Sequence, residues 1–241
     1  MITTTTEVQT NFGKYLKLIE NEDVIITKNG KKIARLVSYD EEITDYNYSL
    51  REGVSDYANT GTKATYEEYL KISEESENRY EYIDGEIYLL ASPFYAHQKA
   101  VREILFAFTL WFRDKKCEPL NSPFDVTLFR ENKNINVVQP DILIICDKEN
   151  INQKGKYNGT PTLVVEVLSE STRSKDHIKK LDLYMSTGVQ EYWIVNTKSK
   201  ELYIYTFKDF EIDEMLTFKS NERVQSVVFE GLGIELSHIF I

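Results

Sequence analysis

Two acidic residues, Asp141 and Glu166, sit inside runs that otherwise read as buried strands, VVQPDILIIC (Val137 to Cys146) and TLVVEVL (Thr162 to Leu168). An ionised carboxylate there costs several kcal/mol, on the order estimated for buried ions, unless a cation or hydrogen-bond donors compensate it. Two on neighbouring strands repel, and a shared divalent metal is the natural compensation. Carboxylates holding a metal and water can polarise a phosphodiester and lower the pKa of an attacking water, so the chemistry indicated is phosphoryl transfer. A nearby lysine would hold that water or stabilise developing charge. The stretch STRSKDHIKKLDLYMSTG supplies one: as a helix it buries His177, Leu181, Tyr184 and Met185, and Lys180 beside that stripe can reach toward the strand end. The competing account puts Asp141 at a strand edge after Pro140, pairs Glu166 with a lysine and leaves Lys180 solvated.

The elements around these residues follow from pattern. On a strand Asp141 shares a face with Leu143, and Glu166 with Val164 and Leu168. Thr65 and Glu68 form a capping box opening the helix TYEEYLKIS, and RYEYIDGEIYLLAS reads as a hairpin turning at Asp84-Gly85. Phe94 to Lys116 predicts an amphipathic helix carrying Val101, Ile104, Leu105, Phe108 and Phe112. Strands are expected near 118–129, 137–145 and 162–168, then a helix at about 174–187 that Gly188 ends, then strands EYWIVN and ELYIYTF.

The first segment is a small unit. Thr6 is expected to cap a helix with Val8, Phe12, Tyr15, Leu16 and Ile19 as one apolar stripe, followed by a hairpin around Asn29-Gly30. About forty residues make a thin core that needs a partner copy. The organisation expected is a module at 1–45, a polar linker at 46–61 and a domain at 62–241.

The formal net charge of -10 weighs against nucleic acid, but residues 39–85 hold thirteen acidic against four basic side chains, while residues 1–38 hold six basic against four acidic. Local distribution decides phosphate binding more than the total. Two cysteines without metal-type spacing fit a reducing cytoplasm, and neither a signal peptide nor a membrane-length apolar run is present in the sequence.

From about Thr65 to Ile241 the chain resembles the Uma-two family of endonucleases, a branch of the PD-(D/E)XK restriction-endonuclease-like superfamily. The resemblance rests on RYEYIDGEI, SPFYAHQ, PFDVTL, VVQPDILIIC, LVVEVLSESTRSKDHIKKLDLYMSTGVQEYWIVN and GLGIELSHIF in order. It implies an α/β fold with a mixed central sheet flanked by helices, Mg²⁺ or Mn²⁺ as cofactor and DNA as substrate. Asp141 and Glu166 would be the acidic pair, with the Val167 carbonyl a further metal ligand. The superfamily's lysine two residues after the acid falls at Leu168, and Lys180 matches the family's helical lysine. Glu81 either completes the metal shell or is a structural or solvent-facing hairpin residue; Asp125 and Gln139 are weaker candidates. His97 reads first as a capping or packing residue, and Asn196 replaces a frequent Asp without an assigned role.

Residues 2–45 resemble prevent-host-death antitoxins through TTTTEVQTNFGKYLKLIENEDVIITKNGKKIARLVS. This implies a small α+β module that makes a homodimer and binds DNA, with Lys14, Lys17, Lys31 or Lys32 meeting phosphates. A folded domain stands where antitoxins carry a toxin-neutralising tail, so a toxin partner is not expected. The rival to the nuclease is a non-catalytic DNA-binding regulator, favoured by Leu168 and disfavoured by the intact Asp141, Glu166 and Lys180. A purely structural oligomer would bind no DNA at any salt concentration.

Overall fold

The computed structural model describes residues 1–19, 24–28, 31–36, 61–130, 134–168 and 175–240. The Asn29-Gly30 turn and residues 46–60 of the expected 46–61 linker lie outside the described residues, as do the side chains of Lys32 and His177. The chain divides into two units, Met1–Ser55 and Asp56–Ile241.

The first unit comprises β1 (Ile2–Thr4), α1 (Thr5–Thr10), α2 (Phe12–Leu18), β2 (Val24–Lys28) and β3 (Lys31–Leu36). Its sheet has the order β1-β2-β3, with β1 parallel and β3 antiparallel to β2. The helix cap is Thr4, not Thr6: residues 2–4 are drawn into the sheet, and the extended Thr4 accepts the Glu7 N–H through Oγ1. The helix also breaks at Asn11, which resets its periodicity. Val8 and Tyr15 are therefore buried as expected, whereas Phe12 and Leu16 are 51% and 45% exposed.

The second unit begins with β4 (Thr62–Lys63), α3 (Tyr66–Glu75), β5 (Tyr80–Ile83), β6 (Glu86–Leu89), α4 (Tyr95–Phe112) and β7 (Glu118–Asn121). It continues through β8 (Val126–Phe129), β9 (Ile135–Val138), β10 (Ile142–Ile145), β11 (Leu163–Leu168), α5 (Lys175–Ser186) and β12 (Glu191–Asn196). It closes with β13 (Glu201–Lys208), β14 (Glu211–Lys219), β15 (Arg223–Gln225), β16 (Gly233–Glu235) and α6 (Leu236–Ile239). The Thr65–Glu68 capping box opens α3 with both reciprocal hydrogen bonds present. Asp84 and Gly85, both at positive φ, make the tight β5–β6 turn.

Two stretches expected as single strands are each divided between two sheets. Residues 118–129 form β7 and β8, and the stretch expected at 137–145 begins two residues earlier and forms β9 and β10. β8 and β9 belong to a five-stranded sheet of order β4-β6-β5-β9-β8, and β7 and β10 to a six-stranded sheet of order β14-β13-β12-β11-β10-β7. The breaks fall at Pro123 and Pro140, which cannot donate to a ladder. Asp141 thus stands where the chain leaves one sheet for the other.

The six-stranded sheet is covered on both faces, which explains its nearly continuous apolar strands. Ile142, Ile144, Val165 and Trp193 pack with Ala100, Ile104 and Phe108 of α4. Leu143, Val164, Tyr192 and Ile194 pack with Leu183 and Tyr184 of α5. Its one parallel pair is β11–β12, and α5 is the crossover between them. Cys117 and Cys146, expected as thiols of a reducing compartment, form a disulfide. The cause is register: β7 and β10 pair with Glu118 opposite Ile145, which brings the flanking cysteines together. No described helix is long and apolar enough to cross a membrane.

Candidate active site

Strand register positions the two carboxylates. β10 and β11 are antiparallel with Ile142 opposite Val165, so Asp141, one residue before β10, faces Glu166 across the pair. Glu166 shares its face with Val164, the face covered by α5, and is 9% exposed. Lys180 Nζ reaches it from α5, 2.9 Å from Oε1, and the Tyr184 hydroxyl donates to the same oxygen at 2.7 Å. Four residues apart, Lys180 and Tyr184 lie on one helix face.

Glu81, on β5, is 1% exposed, so it is not solvent-facing. Its Oε1 accepts from Lys180 Nζ at 3.0 Å and from the Gln139 N–H at 2.9 Å. Lys180 therefore bridges two buried carboxylates from different sheets. Gln139 also donates through Nε2 to Asp125 Oδ1 at 2.8 Å, and Asp125 pairs with Lys156, which puts Asp125 in a supporting position.

Asp141 is held from two sides. The Val167 N–H donates to its Oδ2 at 2.8 Å, and His97 Nε2 lies 3.1 Å from the same oxygen. His97 occupies the first turn of α4 and is buried, so the packing role expected of it is joined by a polar contact with the acidic pair. Burial works to lower its pKa, but the hydrogen bond and charge of Asp141, the charge of Glu166 and the Val167 backbone outweigh it and raise it overall.

The helix that carries Lys180 is clamped to the five-stranded sheet. Lys179 Nζ meets Glu86 Oε2 at 2.5 Å, and Arg130 joins Asp84 at 3.0 Å and Asp182 at 2.8 Å. Gly188, at φ +87, terminates α5, with the Val189 N–H returning to the Tyr184 carbonyl. Individually such pairs contribute little, about 1 kcal/mol or less, but together they fix the rotation of α5 that aims Lys180 inward.

These groups line a cleft of about 260 Å³ whose walls include Arg79, His97, Gln98, Ser122, Val167 and Leu168. Among the described residues no group of three or more His, Cys, Asp or Glu side chains is arranged to hold a metal. Asn196 is outside this cleft, its Oδ1 accepting the N–H groups of Lys198 and Ser199. Lys14, Lys17 and Lys31 are exposed on the first unit, the former two on α2.

Burial pushes the Glu166 carboxyl up to about 7, the charges of Asp141 and Glu81 adding to it and Lys180 opposing. The folded chain then keeps a proton that the unfolded chain releases near 4.5. The associated stability is fully present below pH 4.5 and is lost as pH rises through about 7. At 1.36 kcal/mol per pKa unit the loss is about 3 kcal/mol. Urea unfolding in chelator-containing buffer between pH 5 and 8 is expected to show this fall in the native sequence and a flatter profile in Glu166→Gln. Parallel profiles would remove Glu166 as the source.

Comparison with known proteins covers all these residues. Residues 66–237 match the Uma2 family, described as "Putative restriction endonuclease". Residues 1–42 match the family described as antitoxin Phd/YefM of type II toxin-antitoxin systems. The uncharacterized protein slr1290 of Synechocystis sp. (strain ATCC 27184 / PCC 6803 / Kazusa) is 28% identical over 182 residues, which are 71% of this chain and 94% of its own. The crystal structure of a "putative nuclease belonging to DUF820" from Anabaena variabilis ATCC 29413 superposes with a TM-score of 0.59 at 18% identity, over 72% of this chain and 95% of that one. At that identity the likeness speaks for the fold alone.

Proposed function

The chain belongs to the Uma2 family of restriction-endonuclease-type proteins, and from that membership we propose that it is a metal-dependent DNA endonuclease acting at the Asp141–Glu166 cleft. The observation that carries this is Lys180: its Nζ stands 2.9 Å from Glu166 although Leu168 occupies the superfamily's lysine position. The helix delivers the cation that the strand lacks.

The donor set fits a hard divalent cation. Asp141 and Glu166 are facing carboxylates on one cleft, and the repulsion that helps raise Glu166 is what a shared cation would relieve. With two carboxylates and the Val167 carbonyl as protein ligands, the rest of an Mg²⁺ or Mn²⁺ shell falls to water and phosphate oxygens, as such ions prefer. Bound there, the ion would supply charge for the scissile phosphate and acidify an attacking water. Glu81 is engaged by Lys180 and the Gln139 N–H, so we assign it to anchoring Lys180 rather than to the metal. Lys180 holds the attacking water and meets developing negative charge, the Val167 N–H and His97 fix the Asp141 rotamer, and Tyr184 fixes that of Glu166.

The antitoxin-like segment, residues 1–45, would pair two chains and contact phosphates through Lys14, Lys17, Lys31 and Lys32, with 46–61 linking it to the nuclease domain at 62–241. A homodimer carries two such clefts, enough to cut both strands. A DNA substrate would place the protein in the cytoplasm.

The test is incubation of the intact chain with supercoiled and linear DNA in Mg²⁺ or Mn²⁺, with a chelator control. Nicked or linear product that the chelator abolishes is expected. Cutting that survives the chelator would overturn the metal assignment, and binding without cutting would return the protein to the regulator reading.

A further inference from the structure

The cations that line the cleft differ in one respect. Lys180 is paired with Glu81 and Glu166, and His97 with Asp141. Arg79 meets no carboxylate among the described residues; its side chain donates only through Nη1, to Ser122 Oγ at 3.1 Å.

Its placement follows from the fold. Arg79 immediately precedes β5 and is two residues before Glu81, so strand alternation sends both side chains to the cleft face, which both line. Ser122 immediately follows β7 and donates its backbone N–H to the Asp141 carbonyl at 3.2 Å. The guanidinium is thereby tied, through one serine, to the main chain of Asp141. A guanidinium carries five donors in a planar fork that matches two phosphate oxygens, and a single hydroxyl leaves most of that capacity unused. The neighbouring cleft wall adds neutral donors at Ser122 and Gln98. Since the other cationic side chains among the described residues of the cleft are neutralised within it, Arg79 is the group of these through which a polyanion can be drawn in.

Resting on the nuclease reading of this cleft, we propose that Arg79, steadied by Ser122, grips a backbone phosphate of the DNA strand adjacent to the phosphate that is cut. Such a contact positions the strand over Asp141 and Glu166 without reading sequence. It makes Arg79 a substrate-binding residue distinct from the acidic pair and from Lys180.

Binding in the absence of metal separates this assignment from catalysis. Anisotropy titrations of a short fluorescein-labelled duplex, in chelator and from about 50 to 200 mM salt, compare the intact chain with Arg79→Met and Arg79→Lys. One lost phosphate contact is expected to make the slope of log affinity against log salt shallower by about one in Arg79→Met. Arg79→Lys should restore the slope while binding more weakly than the native chain, because an ammonium lacks the fork. Thermal unfolding of Arg79→Met should match the native chain. Slope and affinity unchanged in Arg79→Met would overturn the phosphate contact, whatever the cutting assay shows. A slope that depends on Arg79 in a chain that never cuts would instead keep the contact and discard the nuclease. No binding by the intact chain at any salt concentration would overturn both.

Discussion

Asp141→Ala and Glu166→Ala are each expected to reduce metal-dependent cutting of plasmid DNA by about 10³-fold or more, the scale of removing a group that directly stabilises transition-state charge. The two variants should differ in stability, and the difference is diagnostic. Asp141→Ala takes the acceptor from the Val167 N–H and leaves His97 Nε2 facing a space where its partner stood. Unpaired buried donors cost about 1–3 kcal/mol each, so this variant should unfold at lower denaturant than the native chain. Glu166→Ala removes a carboxylate whose ionisation the fold already disfavours, while Lys180 keeps Glu81. Above pH 7 its loss of stability should therefore be the smaller of the two. Asp141→Asn and Glu166→Gln retain shape and separate the charge from the packing. Activity surviving in both amide variants would remove the acidic pair from the reaction.

That pair was legible because a carboxylate inside VVQPDILIIC or TLVVEVL contradicts its surroundings. Pairing across β10 and β11 then follows once the strands are neighbours. Other parts of the site left no local trace. Lys180 and Glu81 meet across 99 residues, and no periodicity reports such a contact. Arg79, His97 and Ser122 stand at the ends of elements, where polar residues are ordinary, so only the fold shows that they line the same cleft. Alternation also could not show the transfer of residues 135–145 between sheets, since the run stays apolar on both sides of Gln139-Pro140-Asp141. The proline was the available signal. In the first unit the apolar stripe failed at Asn11, because helical spacing carries from Val8 to Phe12 only if the helix is continuous. Glu191, at the start of EYWIVN, is fully buried, which nothing in its local sequence signals. Its carboxylate accepts from Trp193 Nε1, Ser226 Oγ and the Val228 N–H, fixing the segment after β15 to the sheet.

Lys180→Met tests whether a helical lysine has taken over the work of the absent strand lysine. Methionine preserves most of the stem and leaves Glu81 and Glu166 without the cation that bridges them. Breaking a buried ion pair by removing one partner costs about 3–5 kcal/mol, and Glu166, already raised to about 7, would recover part of this by keeping its proton. Lys180→Met should accordingly be destabilised more at pH 8 than at pH 5, read as urea midpoints in chelator. Cutting should fall by about 10²–10³-fold, while metal-free DNA binding stays close to native, since Lys180 is engaged by carboxylates rather than offered to the backbone. The decisive variant adds Leu168→Lys. Leu168 is on the strand and face of Glu166 and lines the same cleft, so a lysine there can meet the reacting phosphate from the superfamily's usual direction. Partial recovery of cutting in Lys180→Met/Leu168→Lys, without full recovery of stability because Glu81 stays unpaired, would show that the cleft needs a cation and accepts it from either element. Failure of Lys180→Met to slow cutting in a folded chain would assign Lys180 to structure alone.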